Sequence, residues 1–211
     1  MTSRNVGLEK KTWARSVLQV AWAYEAFQRS VGKNKLRREF VSRYLKPDAG
    51  MRLLDFGCGP GDLVPFVPSA DFVGFDISQP YIESAQSRFP SAQFFDGTLA
   101  EVAKTQDPFD VAVSIGVLHH IPDDTVVDSL RIVAEMLKPG ARFITVEPHL
   151  RPGQHWISRT LIERDRGQFV RTETQYAELL GEVFDEVDLQ LDEDLLRVPY
   201  TLTVFTCHDS S

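Results

Sequence analysis

Leu53-Leu54-Asp55-Phe56-Gly57-Cys58-Gly59-Pro60-Gly61-Asp62 is the stretch on which the reading of this chain turns. An apolar run of strand length ends in an acid and then in glycines at alternating positions. Backbone without Cβ atoms can approach a ligand that any side chain would block. In an open α/β sheet, ligands bind at the carboxyl ends of the strands, near the switch in strand order. The spacing is D-x-G-x-G-x-G with Pro60 inside the loop, not the G-x-G-x-x-G that sets a helix N-terminus under a pyrophosphate. Asp55 puts negative charge where a pyrophosphate would be repelled and an ammonium group attracted.

Working outward, strand-like runs alternate with stretches of helical period. Residues 51–56, 71–76, 92–96, 109–114 and 141–147 read as strands, and 81–89 and 124–137 as helices. Lys138-Pro139-Gly140 reads as the stop of the second helix. Residues 154–162 and 172–180 look helical, and 183–191 and 198–207 look like two long strands joined by a short connection. Upstream, Trp13, Val17, Val20, Ala21, Tyr24 and Phe27 form an apolar stripe, Gly32 interrupts it, and Leu36 to Leu45 continue on a second helix. The pattern predicts an α/β fold: a doubly wound, mostly parallel, seven-stranded Rossmann-like sheet with an antiparallel C-terminal edge pair. Residues 1–50 are expected to form a helical cap and 51–211 the ligand-binding domain, with an insertion at about 150–182.

Two further acids close strands. Asp76 follows Asp55 by 21 residues, where a carboxylate accepts hydrogen bonds from both ribose hydroxyls. Asp96 ends the third strand, placed to accept from an exocyclic adenine amine. Such acids also serve as helix N-caps, and for Asp96 alone the two readings weigh equally. Together they describe a pocket for an adenosine that carries a cationic amino acid.

Composition narrows the partners. The 211 residues are 43% hydrophobic and 25% charged, with 23 Lys and Arg against 30 Asp and Glu, a net charge of −7. That balance disfavours nucleic acid, which needs clustered positive charge, and favours small molecules or groups on a larger carrier. A chain this long buries roughly 70% of its unfolded surface and needs no staple. Two cysteines, Cys58 and Cys207, make neither a disulfide framework nor a four-cysteine zinc site, and no metal is expected. The first residues lack the apolar core of a secretory signal, and no apolar run approaches a membrane span, so the expectation is a cytoplasmic protein.

These motifs resemble those of the class I S-adenosylmethionine-dependent methyltransferases. LLDFGCGPGDL is similar to their first motif, VGFDIS to the acidic second, FFDGTLAEV to the adenine-contacting loop, SIGVLHHIPDD to the segment after strand four, and LKPGARFITVEP to strand five. The flanks YEAFQRSVGKNKLRREFV, DRGQFVRTETQY and LLRVPYTLTVF resemble a group of small bacterial methyltransferases. The resemblance implies that S-adenosylmethionine is the cofactor and S-adenosylhomocysteine the product. It implies that Gly57, Cys58, Gly59 and Gly61 line the methionine moiety, that Asp76 holds the ribose and that Ile77 packs on adenine. Asp96, Gly97 and Thr98 would then meet the adenine edge, and Ser114 and Ile115 the amino acid portion. One departure is Val64-Pro65-Phe66-Val67-Pro68, where two prolines shorten a helix that runs longer in most relatives.

Methyl transfer from a sulfonium needs an acceptor atom held behind the methyl carbon, about 3–3.5 Å away, in a pocket poor in water. The expected acceptor is O or N of a small molecule or glycan precursor. A base helps a hydroxyl and is superfluous for a neutral amine. His120 and His119 follow strand four and are the candidate bases, with His120 ahead; the alternative is that one is structural and the other shapes the wall. Glu147 and His149 are placed either to orient the acceptor or to cap a turn. Arg166 and Arg171 offer forks for a carboxylate or phosphate, or else pair internally with an Asp. Tyr200 points its phenol at the acceptor or lies on a sheet face. Tyr24 and Phe27 are core, or a lid over the sulfonium whose charge favours an aromatic face. Lys33, Lys35, Arg37 and Arg38 form either a solvated helix face or a phosphate site. The rival functions are a nicotinamide-dependent oxidoreductase, which the loop spacing and Asp96 disfavour, and a non-catalytic S-adenosylmethionine-binding protein, against which stand the intact pocket acids.

Overall fold

The computed structural model of the protein describes residues 32–163, 168–192, 194–197 and 200–209. The stripe from Trp13 to Phe27 lies outside them. Seven strands form one sheet: β1 (Arg52–Phe56), β2 (Asp71–Phe75), β3 (Gln93–Phe95), β4 (Phe109–Ile115), β5 (Leu137–Pro148), β6 (Glu186–Asp192) and β7 (Leu202–His208). Their order is β3-β2-β1-β4-β5-β7-β6. The chain winds outward from β1 to β3, then crosses to β4 on the other side of β1. In open α/β sheets ligands bind at the carboxyl ends of the strands that flank such a reversal, here β1 and β4. β7 pairs antiparallel with both β5 and β6, so the last strand is inserted and the sixth becomes the edge.

Helices cover both faces, as near-continuous apolar strands require. On one face α1 (Lys33–Phe40) and α2 (Gln79–Arg88) bring Leu36, Phe40 and Ile82 onto Leu53, Val111, Val113 and Ile144. On the other, α3 (Leu99–Ala103), α4 (Asp123–Glu135) and α6 (Glu173–Gly181) bring Val102, Leu130, Tyr176 and Leu180 onto Leu54, Phe75, Ala112 and Phe143. The remaining helix, α5 (Trp156–Glu163), follows β5. After α1 the helix widens into a five-residue turn of π type, Val41–Leu45, from which Arg43 and Tyr44 reach Asp192 of β6 at 3.0 and 2.8 Å.

Several boundaries differ from the sequence reading. Lys138-Pro139-Gly140 does not stop a helix: it lies inside β5 as an irregularity, Leu137 standing opposite Phe109 and Arg142 opposite Val111. α4 already ends at Glu135, because the chain must join the sheet two residues later. β6 and β7 begin three and four residues late, at Glu186 and Leu202, leaving a longer connection between them. α3 is too short to show a helical period; a capping box at Thr98 and Glu101 makes it. The two prolines reduce the segment behind the glycine loop to one tight turn, Val64–Phe66.

Candidate functional site

The glycine loop is pinned by backbone. The N–H groups of Gly57 and Cys58 both donate to the carbonyl of Phe75, at 2.8 and 2.9 Å, which fixes the end of β1 against the end of β2. Gly57 has φ +79°, and a Cβ there would lie 2.4 Å from Val117. Gly59 has φ +53°, and nothing stands within 4 Å of where its Cβ would be. Two constraints therefore favour glycine: a packed neighbour at Gly57 and a left-handed backbone at both positions. Gly61 sits against Phe89 and Phe94. The thiol of Cys58 is buried and faces the carbonyl of Gly59 at 3.4 Å. Burial and the charges of Asp55 and Asp76 push its pKa up, so it is no nucleophile.

The acids gather where the strands end. Asp76 accepts from the N–H of Gly59 (2.9 Å) on one oxygen and of Ser78 (2.8 Å) on the other. A carboxylate has about four acceptor positions, so half of its capacity remains and the side chain is half-exposed. Asp55 is 4% exposed. Burial pushes its pKa up to about 7, Arg37 opposes the rise, and Asp76 and Asp62 add to it. Ile77 is 84% exposed, an apolar side chain at the rim between two acidic strand ends. Asp96 and Gly97 are exposed beyond it. At Thr98 the N–H and the hydroxyl both donate to Glu101, at 3.0 and 2.7 Å, within the capping box. By strand alternation Ile115 shares the face of Asp55, while the hydroxyl of Ser114 is buried on the opposite face with no hydrogen-bond partner among the described residues.

Arg37 was not among the residues that the motifs select. It stands on α1 with its side chain 15% exposed, 3.4 Å from Asp62, which Arg88 also holds at 2.8 Å. Desolvation lowers its pKa while Asp62 and Asp55 support its charge. Lys35 donates to the carbonyls of Asp194 and Leu196. The basic run is thus no uniformly solvated face, since two of its members tie α1 to residues 194, 196 and 62. The available signal was position, because Arg37 directly follows Leu36 in the buried stripe.

The β4–β5 side is organised differently. His119 is 3% exposed and its Nδ1 lies 2.7 Å from Glu147 Oε2. Glu147 is fully buried and accepts the N–H groups of Val117 and Leu118 at 3.0 and 2.9 Å. Its carboxylate thereby caps the turn of residues 117–119 from beneath. His120 is exposed, its ring 4.0 Å from that of His119. His149 is fully buried, with Nδ1 2.8 Å from the hydroxyl of Thr203. Arg171 is buried as well, and its fork donates to the carbonyls of Leu118 (2.9 Å) and Ile121 (2.7 Å) and to Asp123. Its internal acidic partner is Asp123. Tyr200 is half-buried and packs on the α1 face of the sheet. Tyr24, Phe27 and Arg166 lie outside the described residues. Among the described residues no group of His, Cys, Asp and Glu is arranged to hold a metal, and no helix is long and apolar enough to cross a membrane.

With this geometry in view, residues 25–193 match a family model described as a methyltransferase domain. A ubiquinone biosynthesis O-methyltransferase of Azorhizobium caulinodans is 35% identical over 109 residues, covering 49% of this chain and 42% of that protein. The match thus spans less than half the length of that relative. A 2-phytyl-1,4-naphtoquinone methyltransferase of Synechococcus elongatus is 28% identical over 193 residues, 82% of each chain. Among solved structures, magnesium protoporphyrin IX methyltransferase from Synechocystis with bound S-adenosylhomocysteine superposes with a TM-score of 0.64 at 18% identity, over 87% of each chain. At that identity the superposition speaks for the fold.

Proposed function

This chain belongs to the class I S-adenosylmethionine-dependent methyltransferase family, and from that premise we propose that it moves a methyl group to O or N of a small molecule or glycan precursor. The observation that carries the reading is the meeting, at the switch in strand order, of an open glycine loop with two acids of different character. Asp76 keeps acceptor positions free toward the rim, as a ribose diol requires. Asp55, buried beside Arg37, offers opposite charges for the two ends of an amino acid zwitterion. Ile77 supplies an apolar surface for adenine, and Asp96 an acceptor for its amine.

When bound, S-adenosylmethionine supplies a methyl group on a sulfonium that leaves as a neutral thioether. The work of the chain is then to hold the acceptor in line and to exclude water, which needs no covalent intermediate on the protein. His120, exposed at the end of β4, is the residue we assign to receive a proton from a hydroxyl acceptor. His119 is left out of that role because Glu147 holds its ring. The choice of acceptor we assign to the described residues between β5 and α6, and we place the activity in the cytoplasm. A hydroquinone, the reduced form of the quinones in the names of two relatives and a bearer of a hydroxyl that can lose its proton, is the first acceptor class to test.

The test is an acceptor screen that reads S-adenosylhomocysteine release, with Asp76→Ala as the inactive control. Release that depends on both acceptor and Asp76 is expected. Tight binding of NAD(H) without binding of S-adenosylmethionine would overturn the reading.

A further inference from the structure

The loop between β4 and α4, residues 116–122, is gripped by two buried side chains of opposite charge. Glu147 accepts the N–H groups of Val117, Leu118 and His119 at 3.0, 2.9 and 3.3 Å, with the hydroxyl of Thr145 at 3.2 Å. Arg171 donates to the carbonyls of Leu118 and Ile121 at 2.9 and 2.7 Å. Peptide donors of the loop thus go to an anion and peptide acceptors to a cation. An exposed loop would give those groups to water at no such cost, since a buried carboxylate and guanidinium carry a desolvation penalty that only their hydrogen bonds offset.

What this arrangement secures is the place of Val117. Its N–H is held by Glu147, and its two methyl groups stand 2.4 and 2.8 Å from where a Cβ on Gly57 would be. We propose that Glu147 is a positioning residue that acts through Val117 on the methionine end of the cofactor pocket, with Arg171 as its counter-grip. The inference rests on the methyltransferase reading, which gives Gly57 to the methionine portion. Glu147 touches neither cofactor nor acceptor, and its effect passes through one turn of backbone.

Two ligands separate positioning from general stability. S-adenosylhomocysteine and 5′-methylthioadenosine share adenosine and a thioether, and only the first carries the amino acid end. Both are titrated by calorimetry into the wild type, Glu147→Ala, Glu147→Gln and Val117→Ala, at a temperature where near-ultraviolet circular dichroism shows each variant folded. We expect Glu147→Ala and Val117→Ala to weaken S-adenosylhomocysteine about tenfold, the size of one net hydrogen bond or a lost packing contact, with methylthioadenosine held within about twofold. Glu147→Gln keeps an oxygen for Val117 and Leu118 and should bind both ligands nearly as the wild type does. Equal loss of both ligands, or no loss in Glu147→Ala, overturns the proposal. If Glu147→Ala does not fold, Val117→Ala without a selective loss overturns it. A wild type that binds neither ligand instead removes the methyltransferase reading beneath it.

Discussion

Asp76 and Glu147 are both acids at the carboxyl end of a parallel strand, and the structure uses them in opposite ways. Asp76 accepts two backbone N–H groups and stays half-exposed, with acceptor positions left for a ligand. Glu147 accepts three backbone N–H groups, a hydroxyl and an imidazole, and is sealed from solvent. The difference is the face on which each side chain leaves the sheet. An acid at a strand end is therefore ambiguous until its donors are counted: one with spare capacity can serve a ligand, and one that is saturated serves the fold.

The comparison breaks most visibly at Glu147. Glu147→Ala leaves buried N–H groups without an acceptor and should cost about 3 kcal/mol of unfolding free energy, measured by urea titration. Stability within about 0.5 kcal/mol of wild type would mean that the turn does not need its cap. Asp76→Ala should show the reverse emphasis. Losing two charge-assisted hydrogen bonds at about 1.5 kcal/mol each weakens S-adenosylhomocysteine roughly 100-fold by calorimetry. If Glu147→Ala lost more affinity than Asp76→Ala, the roles would be exchanged.

Asp55 sharpens the contrast through pH. Its carboxyl ionises only near pH 7 in the folded protein, because burial outweighs the help from Arg37. An ammonium group favours the ionised form, so affinity for S-adenosylhomocysteine should rise with pH, by at most about tenfold per unit below 7, and level off above. In the ligand-free protein the folded state holds this proton more tightly than the unfolded state. Asp55 therefore adds stability below the ordinary carboxylate range, and that contribution is lost as pH rises toward 7. Asp55→Asn should flatten the binding profile, and an unchanged slope would detach Asp55 from the ligand. The smallest effect is expected at His120. His120→Ala should change unfolding free energy by less than about 0.5 kcal/mol, as an exposed side chain does, and leave S-adenosylhomocysteine binding unaltered while slowing turnover of a hydroxyl acceptor.

Legibility followed the same division. The strand–helix alternation and the antiparallel end pair could be read because apolar periodicity reports burial directly. The irregular start of β5 escaped, because Lys138-Pro139-Gly140 carries a turn signal that strand pairing overrides. Asp55, Asp76 and the glycines could be read because their spacing is local and backbone-driven. Glu147, His149 and Arg171 were legible as special residues and not by role, since each meets partners 28 to 54 positions away. Arg37 was hidden in a basic run whose members differ only in what they face.

The order of elements, the glycine loop and the acids at the ends of three strands could be read from the chain alone. These depend on the period of the backbone and on residues a few positions apart. Packing in three dimensions sets that Asp76 looks outward and Glu147 inward, that Arg37 faces Asp62, and that Ser114 turns away from Asp55. Successive side chains leave a strand on opposite faces, and which face meets ligand or core is set by the helices that pack there.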